Sequence, residues 1–285
     1  MPALAGRVAV ITGAARGLGR EHALLFASEA AQVVVNDVDA EAVEAVAAEI
    51  GAAGGEAAAV AGDAADWDVG RSLVEAAQEA FGRLDVLVNN AGILRDRFLV
   101  TMSEVEWDDV VRVHLKGTFV PMRWAAAHWR EEAKAGRPVK ASVVNTSSTS
   151  GLLGNPGQAN YGAAKAGIAA LTTIAASELG RYGVRCNAVV PMARTRLTEA
   201  TPGLADVVKA PADPGDFDAW HPANVSPLVA ALAAEGCALT GQVLLAHGDM
   251  VQRFEPWSLG ETIRSDGRWT VTGLVSALEG WASRA

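Results

Sequence analysis

Short runs of β-branched and other apolar residues alternate along the chain with longer stretches in which apolar positions recur every three to four residues. The short runs are almost continuously apolar, as is typical of strands buried on both faces of a sheet. This alternation predicts parallel strands joined by right-handed helical crossovers, with helices on both faces. The predicted strands are residues 8–12, 33–36, 55–61 (the weakest of the set), 84–89, 139–146, 184–191 and 242–246.

Two of the intervening helices begin after aspartates that can accept hydrogen bonds from the first backbone N–H groups, Asp39 and Asp66. Strands and helices together predict an α/β fold, a Rossmann-type doubly wound parallel sheet of about seven strands. The pattern continues without a linker or repeat, so we expect a single domain over residues 1–250.

Two segments depart from the alternation. Residues 198–222 carry four prolines and two glycines, which exclude a long helix and predict a loop over the carboxyl edge of the sheet. Residues 251–285 form a predicted C-terminal extension that packs on the same or a neighbouring subunit. Its last part is a predicted helix that begins at a Thr272 cap and places apolar residues on one face, Leu274, Leu278 and Trp281.

Charge and cysteine content narrow the function classes. The 24 basic residues against 33 acidic ones give a net charge of −9, which argues against a nucleic-acid partner. Polar residues interrupt the longest uncharged run, 141–164, so no membrane span is predicted. Cys186 and Cys237 stand far apart without a histidine cluster, which predicts neither a metal site nor a disulfide framework. We therefore expect a cytoplasmic protein.

The first predicted strand leads into a glycine-rich turn and then a helix. Glycines let the backbone approach a pyrophosphate, whose charge is stabilised by the unpaired N–H groups and positive dipole end of the helix. The cluster would also suit a plain strand-to-helix turn, so taken alone it leaves both interpretations open. The residues predicted to hold a dinucleotide here are Gly13, Arg16, Gly17, Leu18 and Gly19.

A carboxylate follows at the spacing that ribose recognition requires. Asp37 ends the second strand 18 residues after Gly19, close to the ~20 expected. It can accept hydrogen bonds from the adenosine ribose and would repel the 2′-phosphate of NADP, so NAD is the predicted cofactor. Asp63, with its neighbour Ala64, is a candidate for the adenine edge, and is equally consistent with a loop aspartate.

Tyr161 and Lys165 lie four residues apart and would share one face of a helix. An ammonium beside a phenol stabilises the phenolate, so we expect Lys165 to lower the pKa of Tyr161 and make it an acid and base near neutral pH. Ser148, at the end of the fifth strand, is placed to bind the substrate oxygen. A Tyr-x-x-x-Lys pair alone is a weak motif, and the preceding strand and phosphate loop strengthen it.

These motifs resemble those of the short-chain dehydrogenases/reductases over nearly the whole chain to about residue 248. The resemblance rests on residues 12–19, on Asn-Asn-Ala-Gly at 89–92 and on Ser148, Tyr161 and Lys165. It implies that Tyr161 transfers the proton, that Lys165 also binds the nicotinamide ribose, and that Asn90 and Thr195 contribute to the cofactor site.

Two positions depart from that family's pattern. His114 occupies the fourth catalytic position, where the family usually has asparagine, and either a water-relay role or a core histidine is consistent with the sequence. Met192 replaces a common glycine ahead of Thr195, in a loop that is one residue shorter. Placement of the nicotinamide is therefore less well defined by the sequence than placement of the phosphates.

A narrower resemblance bears on the substrate. Residues 92–97, 113–115 and 154–161 resemble the 3-hydroxyacyl-CoA dehydrogenase part of the peroxisomal multifunctional β-oxidation enzymes, which are also 17β-hydroxysteroid dehydrogenases. The resemblance implies an NAD-dependent dehydrogenase of acyl-CoA or steroid-derived alcohols and a homodimer or homotetramer. The alternatives are a 3-oxoacyl-carrier-protein reductase, and a catalytically silent dinucleotide-binding regulator.

Overall fold

The computed structural model describes residues 2–199, 206–213, 215–255 and 257–282. A central eight-stranded sheet has the order β3-β2-β1-β4-β5-β6-β7-β8. The first seven strands are parallel, and the eighth is antiparallel to the seventh. The strands are β1 (Val8–Thr12), β2 (Gln32–Asp37), β3 (Glu56–Ala61), β4 (Val86–Asn89), β5 (Ala141–Thr146), β6 (Val184–Met192), β7 (Val243–His247) and β8 (Met250–Arg253).

The predicted fold class and the seven predicted strands are confirmed, and the sheet has one further strand. All four residues of β8 are exposed, so β8 lacks the apolar run that identifies the other strands. A tight turn brings it back along β7, where Phe254 N–H also donates to the carbonyl of Val243 at 2.9 Å.

Ten α-helices lie in the described residues, and the crossover helices cover both faces of the sheet. One face buries Phe26, Val43 and Leu232, and the other buries Leu73 and Trp129. The helices are α1 (Gly17–Ser28), α2 (Ala40–Ala52), α3 (Trp67–Phe81), α4 (Glu104–Val111), α5 (Gly117–Lys134), α6 (Thr149–Leu152), α7 (Ala159–Leu179), α8 (Arg196–Glu199), α9 (Ser226–Ala233) and α10 (Val271–Ala282).

Both aspartate caps are confirmed: Asp39 accepts from the N–H of Ala42, and Asp66 accepts from the N–H groups at the start of α3. The predicted cap at Thr272 is wrong, because α10 has already begun at Val271. The hydroxyl of Thr270 accepts from Gly273 N–H at 3.1 Å instead. A cap must precede the first helical residue, and an apolar face does not mark that residue.

The described chain divides into two compact units, Met1–Phe254 and Glu255–Ala285. The first contains the whole sheet, and the second contains α10. Of the predicted loop at 198–222, residues 200–205 and 214 lie outside the described residues. The remainder holds the end of α8 and a 3-10 turn, Pro222–Asn224. No helix in the described part of the chain is long and apolar enough to cross a membrane.

Candidate active site

The glycine-rich turn after β1 is built to approach a pyrophosphate. Gly13 and Gly17 adopt positive φ angles of 64° and 54°, which side-chain-bearing residues rarely adopt. A Cβ on Gly19 would lie 2.1 Å from the carbonyl oxygen of Gly13, so this close packing of loop on helix excludes any side chain. The first turn of α1 carries no acidic residue and no side-chain cap, which leaves its N–H groups open to an anion.

Asp37 lies at the carboxyl end of β2, beside this turn. Its carboxylate accepts from Ala15 N–H at 3.3 Å and from Asp39 N–H at 3.2 Å, and it is half-buried. These bonds aim the carboxylate while leaving acceptor capacity for ribose hydroxyls. The nearby guanidinium of Arg16 forms an ion pair with Asp39, the capping residue of α2. The arrangement therefore fits the adenosine half of a dinucleotide.

The other predicted cofactor residues differ in the contacts that they make. Asn90 donates through its side-chain amide to the carbonyls of Thr12 and Gly13, both at 3.1 Å, so it stabilises the glycine-rich turn. Asp63 accepts from Ala65 N–H and is ion-paired with Arg112, while its neighbour Ala64 is buried.

Thr195 lies after β6, close to Thr198. Its backbone N–H donates to the hydroxyl of Thr198 at 2.7 Å, and its own hydroxyl accepts from Thr198 N–H at 3.2 Å. These bonds stabilise the first turn of α8, in the segment where a nicotinamide carboxamide would be held.

Ser148, Tyr161 and Lys165 come together at the carboxyl end of β5. Ser148 is close enough to Tyr161 to lower the pKa of the phenol, and the Lys165 ammonium lies 5.5 Å from the centre of the tyrosine ring. Lys165 is almost fully buried and donates to the carbonyl of Thr146 at 2.6 Å. The helix α7 and the loop after β5 thus place an acid–base group, an oxygen-binding hydroxyl and a cation side by side.

The predicted lowering of the pKa of Tyr161 is wrong. Burial raises the pKa of Tyr161 to about 12; the hydrogen bond from Ser148 opposes this rise and the charge of Asp96 adds to it. Burial also lowers the pKa of Lys165 to about 7, so its ammonium is only partly charged near neutral pH. Spacing on a helix brings the pair together, but burial decides how well either charge is solvated.

His114 lies in a five-residue π-helical segment, Arg112–Lys116, between α4 and α5. Its ring meets that of Tyr161 edge-on at 5.0 Å, and its Nε2 lies 2.7 Å from the carbonyl oxygen of Ile93. Burial, and then the charge of Lys165, lower the pKa of His114 to about 3, so the imidazole is neutral. Its Nδ1 is buried without a hydrogen-bond partner among the described residues. His114 is thus a buried, neutral histidine whose ring packs against Tyr161.

Comparison with known proteins identifies the family. A family model described as short chain dehydrogenase matches residues 7–203. The chain belongs to the short-chain dehydrogenases. It is therefore an oxidoreductase of a family that binds nicotinamide dinucleotide cofactors, and the predicted family membership is confirmed.

Three relatives of this short-chain dehydrogenase carry different names. Hydroxyacyl-CoA dehydrogenase ChsB1 of Mycobacterium tuberculosis is 48% identical over 96% of this chain and 88% of its own length. Peroxisomal multifunctional enzyme type 2 of Drosophila melanogaster is 44% identical over 84% of this chain, which matches 38% of that longer protein. The 3-oxoacyl-[acyl-carrier-protein] reductase FabG of Thermotoga maritima is 38% identical over 87% of this chain and 99% of its own.

A solved structure supports the same assignment. A short chain dehydrogenase from Mycobacterium avium superposes with a TM-score of 0.89 at 44% identity, covering 99% of this chain and 96% of that one.

A hydrogen-bonded network beside the active site of this short-chain dehydrogenase went unrecognised in the sequence. Gln158, which immediately precedes α7, donates to a carboxylate oxygen of Asp96 at 2.8 Å and accepts from Ser150 at 2.7 Å. Asn160 donates to the carbonyls of Arg95 and Glu106, both at 2.9 Å. The segments 92–97 and 154–161 were singled out only by resemblance. The signal for the network is the pair of polar residues Gln158 and Asn160, which become buried.

Proposed function

We propose that this short-chain dehydrogenase uses NAD to oxidise the secondary alcohol of a 3-hydroxyacyl-CoA or a steroid-derived thioester. One observation carries the chemistry: the buried Lys165 lies 5.5 Å from the centre of the Tyr161 ring, and Ser148 is close enough to that phenol to lower its pKa. Bound NAD would accept a hydride from the alcohol carbon. Ser148 binds the alcohol oxygen, and Tyr161 as phenolate takes the hydroxyl proton while the C–O bond becomes a carbonyl.

Lys165 supports that step in two ways. Its ammonium contacts the face of Tyr161 and favours the phenolate, and it binds the nicotinamide ribose. The bond to Thr146 holds the ammonium in this position. His114 contributes as a neutral group packed on the phenol edge.

Asp37 is the feature that favours NAD over NADP. A second phosphate on the ribose would meet its carboxylate, while ribose hydroxyls would donate to it. Gly13, Gly17, Leu18 and Gly19 would hold the pyrophosphate. The other proposed contacts are Arg16, Asp63, Ala64, Asn90 and Thr195.

The substrate class rests on relatives. A hydroxyacyl-CoA dehydrogenase and a peroxisomal multifunctional enzyme are 48% and 44% identical to the chain. The alternative, a 3-oxoacyl-carrier-protein reductase, is supported by the 38% identity to FabG of Thermotoga maritima. Asp37 argues against it if that reductase uses NADPH. A silent regulator is disfavoured because Ser148, Tyr161 and Lys165 are all present and adjacent.

Exposed apolar side chains on the helices around the site suggest that copies of the protein associate. We propose a cytoplasmic homodimer or homotetramer assembled through α4, α5 and α7. Phe119 on α5 and Ile174 on α7 are each about half exposed, at 43% and 53%. A groove of about 520 Å³ on this side is lined by Asp108, Val111, Arg112, Leu115, Lys116 and Phe119. A self-associating face would bury these apolar side chains.

A substrate panel tests the proposal. Purified protein is assayed by NADH absorbance with 3-hydroxyacyl-CoA, steroid and simple secondary alcohols, each with NAD and with NADP. We expect turnover of the acyl-CoA or steroid substrates with NAD, and none in the matched variant Tyr161→Phe. Preference for a carrier-protein thioester with NADPH would establish the alternative, and absence of hydride transfer with every substrate would leave only the silent regulator.

A further inference from the structure

The loop after β4 braces the start of the helix that carries Tyr161. Arg97 N–H donates to the carbonyl of Gly157 at 2.8 Å, which forms a parallel bridge between the two segments. Asn160, fully buried, ties the same helix to the carbonyl of Arg95 and accepts from Tyr161 N–H at 2.7 Å. The position of the catalytic phenol therefore depends on the segment at 95–97.

Asp96 lies among these contacts, and only one of its two carboxylate oxygens has a hydrogen-bond partner among the described residues. Asp96 Oδ2 accepts from the side-chain amide of Gln158, which in turn accepts from Ser150 and Asn155. Asp96 Oδ1 is buried and has no hydrogen-bond partner among the described residues. Buried polar atoms without partners are rare, so this oxygen needs a functional explanation.

The charge of Asp96 is also uncompensated within the described residues. Its two neighbouring arginines are engaged elsewhere, Arg95 with Asp109 and Arg97 with Glu106. No ion pair involves Asp96 in the part of the chain that the structure describes, and its negative charge acts on Tyr161. In a partly buried site such a charge is weakly screened.

We propose that Asp96 is a positioning residue for Tyr161: it fixes the start of α7 through Gln158 and holds an unpaired carboxylate oxygen there. The groups that face Tyr161 are then Lys165 on its own helix, neutral His114, the hydroxyl of Ser148 and the carboxylate of Asp96. The negative charge of Asp96 favours the neutral phenol, so removing that charge should lower the pH at which Tyr161 ionises.

The inference deepens the proposed function, yet it can be tested without substrate or cofactor. The chain contains two tyrosines, so Tyr182→Phe leaves Tyr161 as the only phenol. A ring-fluorinated tyrosine, which is more acidic, is incorporated into this full-length variant. Fluorine NMR then follows ionisation at position 161, while circular dichroism reports the pH range in which the fold persists.

In this background Asp96→Asn is expected to lower the ionisation midpoint by about half a pH unit or more. Asp109→Asn is the matched control, since it makes the same chemical change in an exposed ion pair next to the segment, and its midpoint should stay that of the parent. A midpoint for Asp96→Asn that coincides with the parent overturns the proposal. Asp96→Ser repeats the measurement if the amide disturbs the fold.

Gln158→Met tests the positioning part, because it removes the link to Asp96 without changing any charge. The resonance of position 161 should shift or broaden at constant pH, and an unchanged spectrum would contradict the link. In the active enzyme, Asp96→Asn should also move the pH–rate profile of alcohol oxidation toward lower pH. If the substrate panel yields no turnover, the proposed function fails, while the tyrosine titration still decides the role of Asp96.

Discussion

At the scale of single residues, the carboxylate of Asp37 is the proposed determinant of cofactor choice, and it can be tested directly. Asp37→Ala should weaken NAD binding, because charge-assisted bonds to ribose hydroxyls contribute on the order of 1.5 to 3 kcal/mol. It should also relax exclusion of NADP. The ratio of kcat/KM for NAD over NADP is expected to fall by about ten-fold or more.

The neighbouring ion pair supplies the control for this prediction. Asp39 caps α2 and pairs with Arg16, so Asp39→Asn keeps the cap while removing a nearby charge. A change of the ratio in Asp39→Asn as large as in Asp37→Ala would show that general electrostatics, rather than ribose contact, controls cofactor choice.

Tyr161→Phe removes one hydroxyl and retains the ring that packs against His114. The rate of hydride transfer should fall by ~10²- to 10⁴-fold, as for other losses of acid–base catalysis. The free energy of unfolding, measured with urea, should change little. Activity within a few-fold of the parent would mean that the proton leaves by another route.

The proximity of Tyr161 and Lys165 could be predicted from sequence, but the pKa values of the two side chains could not. A spacing of four residues places Tyr161 and Lys165 on one helical face in any fold that keeps the helix. Whether the pair is solvated depends on strands and loops far away in the chain, and here burial raises one pKa and lowers the other. Asp96 escaped notice for the same reason, since its partner Gln158 is 62 residues away.

At the scale of elements, the contact between α1 and α9 makes stability depend on pH. Nδ1 of His22 lies 2.7 Å from the hydroxyl of Ser226, and burial lowers the pKa of His22 to about 3. The unfolded chain binds a proton near pH ~6.5 and the folded chain does not, so stability is lost as pH falls from ~6.5 toward 3.

We expect the non-titrating variant His22→Asn to flatten this dependence. Between the two pKa values its free energy of unfolding should change less steeply with pH than that of the parent, by up to ~1.4 kcal/mol per pH unit. Urea unfolding across the acidic range measures both slopes. Parallel curves for the two proteins would mean that His22 already binds a proton in the folded state.

Gly92 lies against the ring of His114, a residue of the π-helical segment. A Cβ on Gly92 would lie 2.3 Å from Cε1 of His114, and because that ring is buried, its neighbours oppose its displacement. Gly92→Ala should therefore destabilise the protein by ~1–3 kcal/mol and reduce activity. Gly51→Ala in α2 is the matched control, since nothing lies within 4 Å of its Cβ, and it should be neutral or stabilising by up to ~1 kcal/mol. Equal unfolding free energies for the two variants would contradict this packing argument.

Most elements were predictable because most of the parallel strands are buried on both faces and therefore form apolar runs in the sequence. The strand β8 and the cap of α10 were not. All four residues of β8 are exposed, and its place in the sheet is fixed by backbone pairing to β7, which leaves no mark on side-chain composition. The cap at Thr270 depends on where the helix begins, which the apolar face alone does not specify.

At the scale of the whole molecule, the C-terminal unit Glu255–Ala285 is the part whose contribution is open to direct test. Trp257 and Leu259 are almost fully exposed in the single chain, at 96% and 103%. Truncation after Phe254 should leave NAD affinity unchanged, because the phosphate loop belongs to the other unit. We expect a higher KM for substrate or a smaller oligomeric mass by light scattering. Unchanged kinetics together with unchanged mass would show that the extension serves neither purpose.

The π-helical segment also has a consequence for how this chain tolerates changes of length. The N–H of Gly117 bonds to the carbonyl of Arg112, five residues back, so the segment holds one residue more than a regular helix would need. Losing a single residue there would let α4 and α5 join in ordinary register without moving either helix. Such a deletion would spare the fold while withdrawing the imidazole from Tyr161. A chain one residue shorter at this point would therefore keep both helices in place and present a different side chain to Tyr161.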